Sequence, residues 1–425
     1  MRILIVNTSE NTGGAAVAAH RLMEALNNNG EKAKMLVRDK QTDDISVVEL
    51  PHSWRQRWNF LRERLTIFRH LGFKRTNLFG IDIANTGTDI TKLKEFKEAD
   101  VIHLHWINQG MLSLKSIRKI VESGKAIVWT MHDAWPMTGI CHVTLGCHAF
   151  HSRCQNCKYL AFHHRDKDLS TKIWKQKKLL FEKSNIYFVA CSHWLEVEAK
   201  KSSLLKGKQI TNIPNPIDTR QFYPGDKAKA RAAFQLPEDM RLLLFAAQRV
   251  TNQFKGIDHL EEACRQLAEQ HPELKDKLAL MILGGNSSDC EFNASGFEVF
   301  PFDYTTDTHK IVQIFQAADA FVLPSLSENL PNTIMEAMAC GVPCIGFKVG
   351  GIPEMIDHRR NGYIAKYRNA EDLAEGIKWV LFDADWNTLS IEALHKVQRR
   401  YSQQSVALDY IEVYNEAIVS KDLKI

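Results

Sequence analysis

The sequence predicts an α/β protein of two doubly wound domains, each a mostly parallel sheet with helices on both faces. Three observations predict it. Short apolar runs alternate with helical patterns along most of the 425 residues. Several of those runs are apolar at consecutive positions, as strands covered on both faces are. The alternation restarts after 212–218, Asn-Ile-Pro-Asn-Pro-Ile-Asp, where two prolines break regular structure and suggest a linker.

In the first half the strand-like runs are 3–6, 34–37, 101–105, 126–131 and 187–191, with helical patterns at 15–28, 112–123 and 168–184. In the second half the runs are 242–247, 279–283, 298–300, 320–323 and 343–347, with helical patterns at 256–271, 308–318 and 333–340. A last helical pattern covers 402–420, its apolar positions being Val406, Leu408, Ile411, Tyr414 and Ile418. The expected organisation is a first domain at 1–213 with a cysteine-rich insert at 141–157, a second at 214–400, and a C-terminal helix at 401–425 packing back toward the first.

Apolar residues make up 44% and charged residues 25%, which suits a soluble enzyme with a core in each domain. A net charge of +5 is too small for a general nucleic-acid binder, so no nucleic acid is expected as a partner. The apolar run 3–6 is too short for a signal-peptide core, and no stretch approaches the ~18 apolar residues of a membrane span. A cytoplasmic protein is expected, at most peripheral on the inner face of the cell membrane. Of nine cysteines, Cys191, Cys264, Cys290, Cys340 and Cys344 are scattered and read as buried, inert thiols.

Four segments at strand ends carry charge or glycine. The first is Ser325-Leu326-Ser327-Glu328-Asn329-Leu330-Pro331, followed by a helix bearing Glu336. Pro331 fits a first helical turn, whose open N–H groups favour phosphate. An eight-residue interval, were it all helix, would span roughly 12 Å. That exceeds the about 5–9.5 Å of a hydrolytic acid pair and suits two hydroxyl-bearing ends of one ligand. The alternative is a capping Glu plus a surface Glu. The second segment, 246–256, offers Arg249 as a planar fork and Lys255 as a point charge for a diphosphate, the alternative being solvated surface charge. The third, Asn11-Thr12-Gly13-Gly14, allows close backbone approach or makes a plain tight turn, and lacks the full Gly-x-Gly-x-x-Gly pattern. The fourth, Trp129-Thr130-Met131-His132-Asp133, offers His132 as a donor to a ligand hydroxyl or as a hydrogen-bonded structural histidine, whereas His103 and His105 read as structural.

In this order the four segments resemble the retaining glycosyltransferases of the GT-B fold, specifically glycosyltransferase family 4 of bacterial polysaccharide type. The resemblance covers nearly the whole chain. Its most specific part is Glu-x7-Glu followed by Ala-Met-Ala-Cys-Gly-Val-Pro, and Val349-Gly350-Gly351-Ile352-Pro353-Glu354 also matches. The resemblance implies two Rossmann-like domains facing each other across a cleft. It implies that Glu328 and His132 act at the donor sugar and Glu336 at the ribose. Arg249 and Lys255 would hold the diphosphate, Gly13 and Gly14 would lie near phosphates or acceptor, and Asn329 and Leu330 would contact the sugar by their backbone. Family members often have Phe-Gly where this chain has Asn329-Leu330. The implied donor is a UDP- or GDP-sugar and the implied acceptor a glycan or lipid-linked glycan, in surface polysaccharide synthesis. Transfer with retention needs a stabilised leaving group and a placed acceptor rather than a protein nucleophile. No Asp-x-Asp motif stands out among the strand-end segments, so no catalytic metal is expected. Alternatives are a nucleotide-sugar epimerase of the same fold and a non-catalytic zinc-stapled binding protein.

Two segments remain. Cys141, Cys147, Cys154 and Cys157 form Cys-x5-Cys-x6-Cys-x2-Cys, a spacing that suits a closed structural zinc site. The segment looks too poor in apolar residues to hold itself together, which favours such a staple; His142, His148 or His151 could replace one ligand, and free thiols or a disulfide are the alternatives. Segment 54–69 interleaves aromatics with arginines. As a helix it sets Trp54, Trp58, Leu61, Leu65 and Phe68 on one face, for a membrane surface, an anionic glycan or its own domain.

Overall fold

The computed structural model describes residues 1–161, 167–285, 292 and 294–422; Cys290 lies outside the described residues. The chain divides into two compact units, one comprising Met1–Pro216 with Gln403–Ile425, the other Ile217–Ser402.

The first unit holds seven strands: β1 (Arg2–Ser9), β2 (Lys32–Asp39), β3 (Val47–Glu49), β4 (Val101–Leu104), β5 (Ala126–Met131), β6 (Tyr187–Ala190) and β7 (Ile210–Asn212). They pair in parallel in the order β3-β2-β1-β4-β5-β6-β7. Alternate side chains feed two apolar layers. Leu4, Val6, Ile102, Leu104, Trp129 and Met131 enter one. Ile3, Ile5, Val101 and Val128 enter the other, with Leu22 and Leu26 of helix α1 (Gly14–Asn28). Both faces are therefore covered, which is why several of these strands carry apolar residues at consecutive positions. Helix α2 (Ser53–His70) lies after β3.

Among the described residues, the second unit holds six parallel strands: β8 (Arg241–Arg249), β9 (Leu278–Gly285), β10 (Glu298–Asp303), β11 (Ala320–Leu323), β12 (Cys344–Phe347) and β13 (Gly362–Ala365). Their order is β10-β9-β8-β11-β12-β13. Helix α3 (Ile257–Gln270) follows β8 and helix α4 (Asn332–Ala339) follows β11. Two parallel α/β sheets are thus the architecture the alternation of runs predicts.

The last helix, α5 (Gln403–Asp422), belongs to the first unit and packs on α1 and β5. Its buried residues include Val406, Tyr410, Val413, Tyr414 and Ala417, whereas Leu408 is exposed. Two of them make polar contacts beneath the sheet: Tyr414 Oη lies 2.8 Å from His103 Nδ1, and Tyr410 Oη 2.8 Å from Thr130 Oγ1.

Candidate active site

In an open parallel sheet the strand order reverses at one point, and the crevice beyond the carboxyl ends there is where ligands bind. In the second unit that point lies between β8 and β11. Three segments leave neighbouring strands at it, and two glycines fix their contacts. After β8 a short turn, Gln253–Lys255, is capped by Asn252, whose side chain accepts from Phe254 N–H at 3.1 Å. Gly256 ends the turn at φ +73°, and a Cβ there would sit 1.9 Å from Pro324 O. Leu326 N–H donates to Phe254 O at 2.8 Å, so the loop after β11 lies against this turn. Gly350, after β12, has φ +57°, and a Cβ there would sit 1.7 Å from Glu328 O. Gly351 N–H donates to Asn329 O at 2.8 Å, which ties the third segment to the same loop.

This arrangement joins two of the expected residues directly. Lys255 Nζ donates to Glu328 Oε2 at 2.8 Å, with both side chains partly buried. Arg249 closes β8, exposed, in register with Gly285 beyond an irregularity in the strand. Glu336 is half-buried on α4. Pro331 precedes the first helical residue rather than entering the first turn, and only Asn332–Ala339 is helical. The Glu328-to-Glu336 interval is therefore part loop, and the all-helix span does not apply. Leu330 is buried and serves packing, while Asn329 contributes its carbonyl oxygen. Sequence reasoning missed Ser325, whose Oγ is buried with no hydrogen-bond partner among the described residues, and Tyr367, whose hydroxyl donates to Leu326 O at 3.0 Å.

In the first unit the order reverses between β1 and β4. Gly13 caps α1 at φ +91° with nothing within 4 Å of a Cβ placed on it, and Gly14 is the first residue of the helix. The backbone angle thus calls for glycine here, and the space above it is open. His132 follows β5, half-buried, with Nε2 at 2.9 Å from His105 Nδ1. Burial pushes the His132 imidazole down to about 4, with Asp133 opposing only in part, so it is neutral at pH 7. A neutral imidazole can both donate to and accept from a hydroxyl. His105 supports His132 through that bond, and burial drives its own pKa well below the usual histidine range. His103 sits behind it, bonded to Tyr414 and Thr130.

Beside His132, Asp133 is held by three groups. Trp106 Nε1–H and Trp135 N–H donate to it at 2.9 and 2.8 Å, and His142 Nδ1 lies at 2.7 Å. His142 Nε2 reaches Asp82 Oδ2 at 2.6 Å, and Asp82 in turn pairs with Arg64 of α2. Burial alone would lower the His142 pKa, but the Asp133 charge and the bonds to Asp133 and Asp82 outweigh it and hold it at about 10. His142 is therefore an imidazolium clamped between two carboxylates. No local pattern signalled this, because Asp82 and Arg64 are remote in sequence.

For the cysteine segment the expectation is a structural zinc, with free thiols or a disulfide as the alternatives. Among the described residues, no three Cys, His, Asp or Glu side chains are grouped so as to hold a metal ion. Cys141, Cys147, Cys154 and Cys157 are free thiols, and Cys154 Sγ accepts from Gly139 N–H at 3.2 Å. Burial raises the Cys154 and Cys157 thiols to about 12. The segment is less poor in apolar anchors than its sequence suggests. Phe150 is 2% exposed in the main core, and Ile140 and Leu160 pack with Ile67, Leu71, Ile81 and Ile173. Apolar packing thus contributes to holding the loop.

Two family models match the chain. One, "Glycosyltransferase Family 4", covers residues 12–221, and the other, "Glycosyl transferases group 1", covers 226–400. The chain belongs to the family-4 glycosyltransferases. Its relatives include the D-inositol 3-phosphate glycosyltransferase of Saccharomonospora viridis, 26% identical over 50% of this chain and 51% of the relative. Another is the N-acetyl-alpha-D-glucosaminyl L-malate synthase of Bacillus anthracis, 24% identical over 50% of this chain and 55% of the relative. The chain spans about half the length of the curated relatives it matches. Among solved structures, sucrose-phosphate synthase from Thermosynechococcus elongatus aligns at TM-score 0.65 and 20% identity, over 99% of both chains. HepE from Anabaena, solved with UDP-glucose, aligns at TM-score 0.61 and 15% identity, over 98% of this chain and 100% of its own. At these identities the structural likeness speaks for the fold, the GT-B class of glycosyltransferases.

Proposed function

We propose that this chain is a retaining glycosyltransferase that moves a sugar from a UDP- or GDP-sugar to a glycan or lipid-linked glycan acceptor. The observation that carries the reading is the Lys255–Glu328 pair at the point where the second unit's strand order reverses. An ammonium and a carboxylate 2.8 Å apart suit the junction of a sugar diphosphate, which is anionic on one side and rich in hydroxyls on the other. Lys255 and Arg249 neutralise the diphosphate, and the N-terminus of α4 adds to that field. Glu328 accepts from sugar hydroxyls, and Glu336 from the ribose. Neutral His132 bonds a donor-sugar hydroxyl near the reacting carbon, and Gly13 and Gly14 leave room for phosphate or acceptor. HepE, solved with UDP-glucose, supports the donor class.

In the reaction the acceptor oxygen attacks the anomeric carbon on the face the diphosphate leaves. The carbon–oxygen bond to the diphosphate breaks with its electron pair going to phosphate oxygen, and the acceptor proton passes to that oxygen. Arg249 and Lys255 stabilise the charge as it develops. The test is incubation with a panel of nucleotide-sugars and acceptors, with NMR of the product. Transfer with retained anomeric configuration is expected. Conversion of donor to an epimer without acceptor would overturn the transferase reading, and an inverted product would overturn retention.

A further inference from the structure

Helix α2 docks by its polar side. Its buried residues are Gln56, Glu63, Arg64 and Ile67. Glu63 Oε1 accepts from Ile83 and Ala84 N–H at 3.0 and 2.6 Å, Gln56 Nε2 donates to Thr88 Oγ1 at 2.8 Å, and Arg64 pairs with Asp82. The apolar stripe points outward instead. Trp54 is 64% exposed, Trp58 63%, Leu61 56% and Leu65 50%, and Phe73, packed edge-on to Phe68 at the helix end, is 69% exposed. Single exposed apolar residues are ordinary, but a continuous row of this kind marks an interaction surface.

The charges around the row are of one sign. Arg55, Arg62 and Arg69 recur at seven-residue spacing, a second row roughly a fifth of a turn round the helix. Arg57 flanks the other side, and Lys74 and Arg75 follow; all six are exposed. Between Pro51 and Gly80 the one acidic residue is Glu63, which is buried. A second copy seated on this face by two-fold symmetry would oppose arginine with arginine. An anionic bilayer meets both features: acyl chains take the Trp and Leu row, and phosphates take the arginines. No helix among the described residues is long and apolar enough to cross a membrane. We infer that α2 lies in the surface of an anionic lipid bilayer through Trp54, Trp58, Leu61 and Leu65, with Arg55, Arg62 and Arg69 at the phosphates.

The test is co-sedimentation of the full chain with vesicles of phosphatidylcholine alone or mixed equally with phosphatidylglycerol. Binding to the mixed vesicles and weaker binding to the neutral ones are expected, with the difference reduced by salt. Arg55→Gln with Arg62→Gln and Arg69→Gln should lower partitioning by roughly two orders of magnitude, at about fivefold per arginine. Trp54→Ser with Trp58→Ser should lower it roughly tenfold or more. Both side chains are exposed, so an unchanged melting temperature checks that the variant is folded. Failure to sediment with anionic vesicles, or sedimentation indifferent to the Trp pair, would overturn the inference. So would a wild-type dimer in solution that the Trp pair converts to monomer, since the face would then be a self-interface.

Discussion

Replacing Gly350 by alanine tests how the candidate site is built. Two costs follow from the geometry. At φ +57° an alanine pays roughly 1–2 kcal/mol for a left-handed backbone. Its Cβ would sit 1.7 Å from Glu328 O and 2.8 Å from the carbonyl carbon, both backbone atoms that no side-chain rotation can move away. Reaching ordinary contact requires an opening of roughly 1.5 Å or more, and such overpacking costs about 1–3 kcal/mol. The sum, about 2–5 kcal/mol, should lower the melting temperature by roughly 5–15 °C for a domain of this size. The shift also carries Glu328 away from Lys255, whose bond is 2.8 Å long. A misplacement of this order costs about a hundredfold in rate. Differential scanning calorimetry and a transfer assay under saturating donor read the two effects separately. Gly13→Ala is the contrast: its φ is +91° but nothing lies within 4 Å, so it bears the backbone cost alone. A Gly350→Ala protein with unchanged melting and unchanged rate would refute the claim that this glycine sets the Glu328 loop.

Other changes have equally definite outcomes. His142→Ala removes the imidazolium between Asp82 and Asp133, leaving Arg64 as the cation paired with Asp82, and should cost about 3–5 kcal/mol near neutral pH. Its folded pKa of about 10 lies above the ordinary value of 6.5, so its stabilisation is full below pH 6.5 and lost as pH rises toward 10. The melting-temperature gap between wild type and variant should narrow over that window, and a constant gap would contradict the imidazolium assignment. Asp319→Ala removes the carboxylate that Arg231 and Lys227 both contact at 2.6 Å, stranding a buried guanidinium, and should also cost about 3–5 kcal/mol by denaturant unfolding. Phe150→Ala should destabilise the first unit by about 3–5 kcal/mol if apolar packing holds the cysteine segment; a negligible loss would return the loop's integrity to some other staple.

Sequence reading reached the strands whose apolar runs are nearly unbroken. β5 and β11 match the runs 126–131 and 320–323, because burial on both faces leaves Thr130 as their one polar residue. It missed Val47–Glu49, Ile210–Asn212 and Gly362–Ala365, each only three or four residues long and each at a sheet edge. Such short segments lack enough periods to stand out, and the last begins with glycine. At the candidate site, the strand-end positions of Lys255 and Glu328 were legible, but their pairing was not, since it depends on loops meeting at Gly256 and Gly350. His105 shows the same gap, as its role appears only when β4 and β5 lie side by side. On α2 the helical wheel grouped Trp54, Trp58, Leu61 and Leu65 correctly, yet hydrophobicity alone would turn that row inward. The partners that reverse it, Asp82, Ile83, Ala84 and Thr88, come from a later segment.

The most direct test of the central claim is calorimetric titration of UDP- and GDP-sugars into wild type, Lys255→Ala and Glu328→Gln. The account predicts that one donor class binds the wild type, that Lys255→Ala weakens both the nucleotide-sugar and its free nucleoside diphosphate, and that Glu328→Gln weakens the nucleotide-sugar alone. Removal of one charge-assisted bond should cost each variant about ten- to a hundredfold in affinity. Donor affinity unchanged in both variants would contradict the account and move the donor site away from the pair.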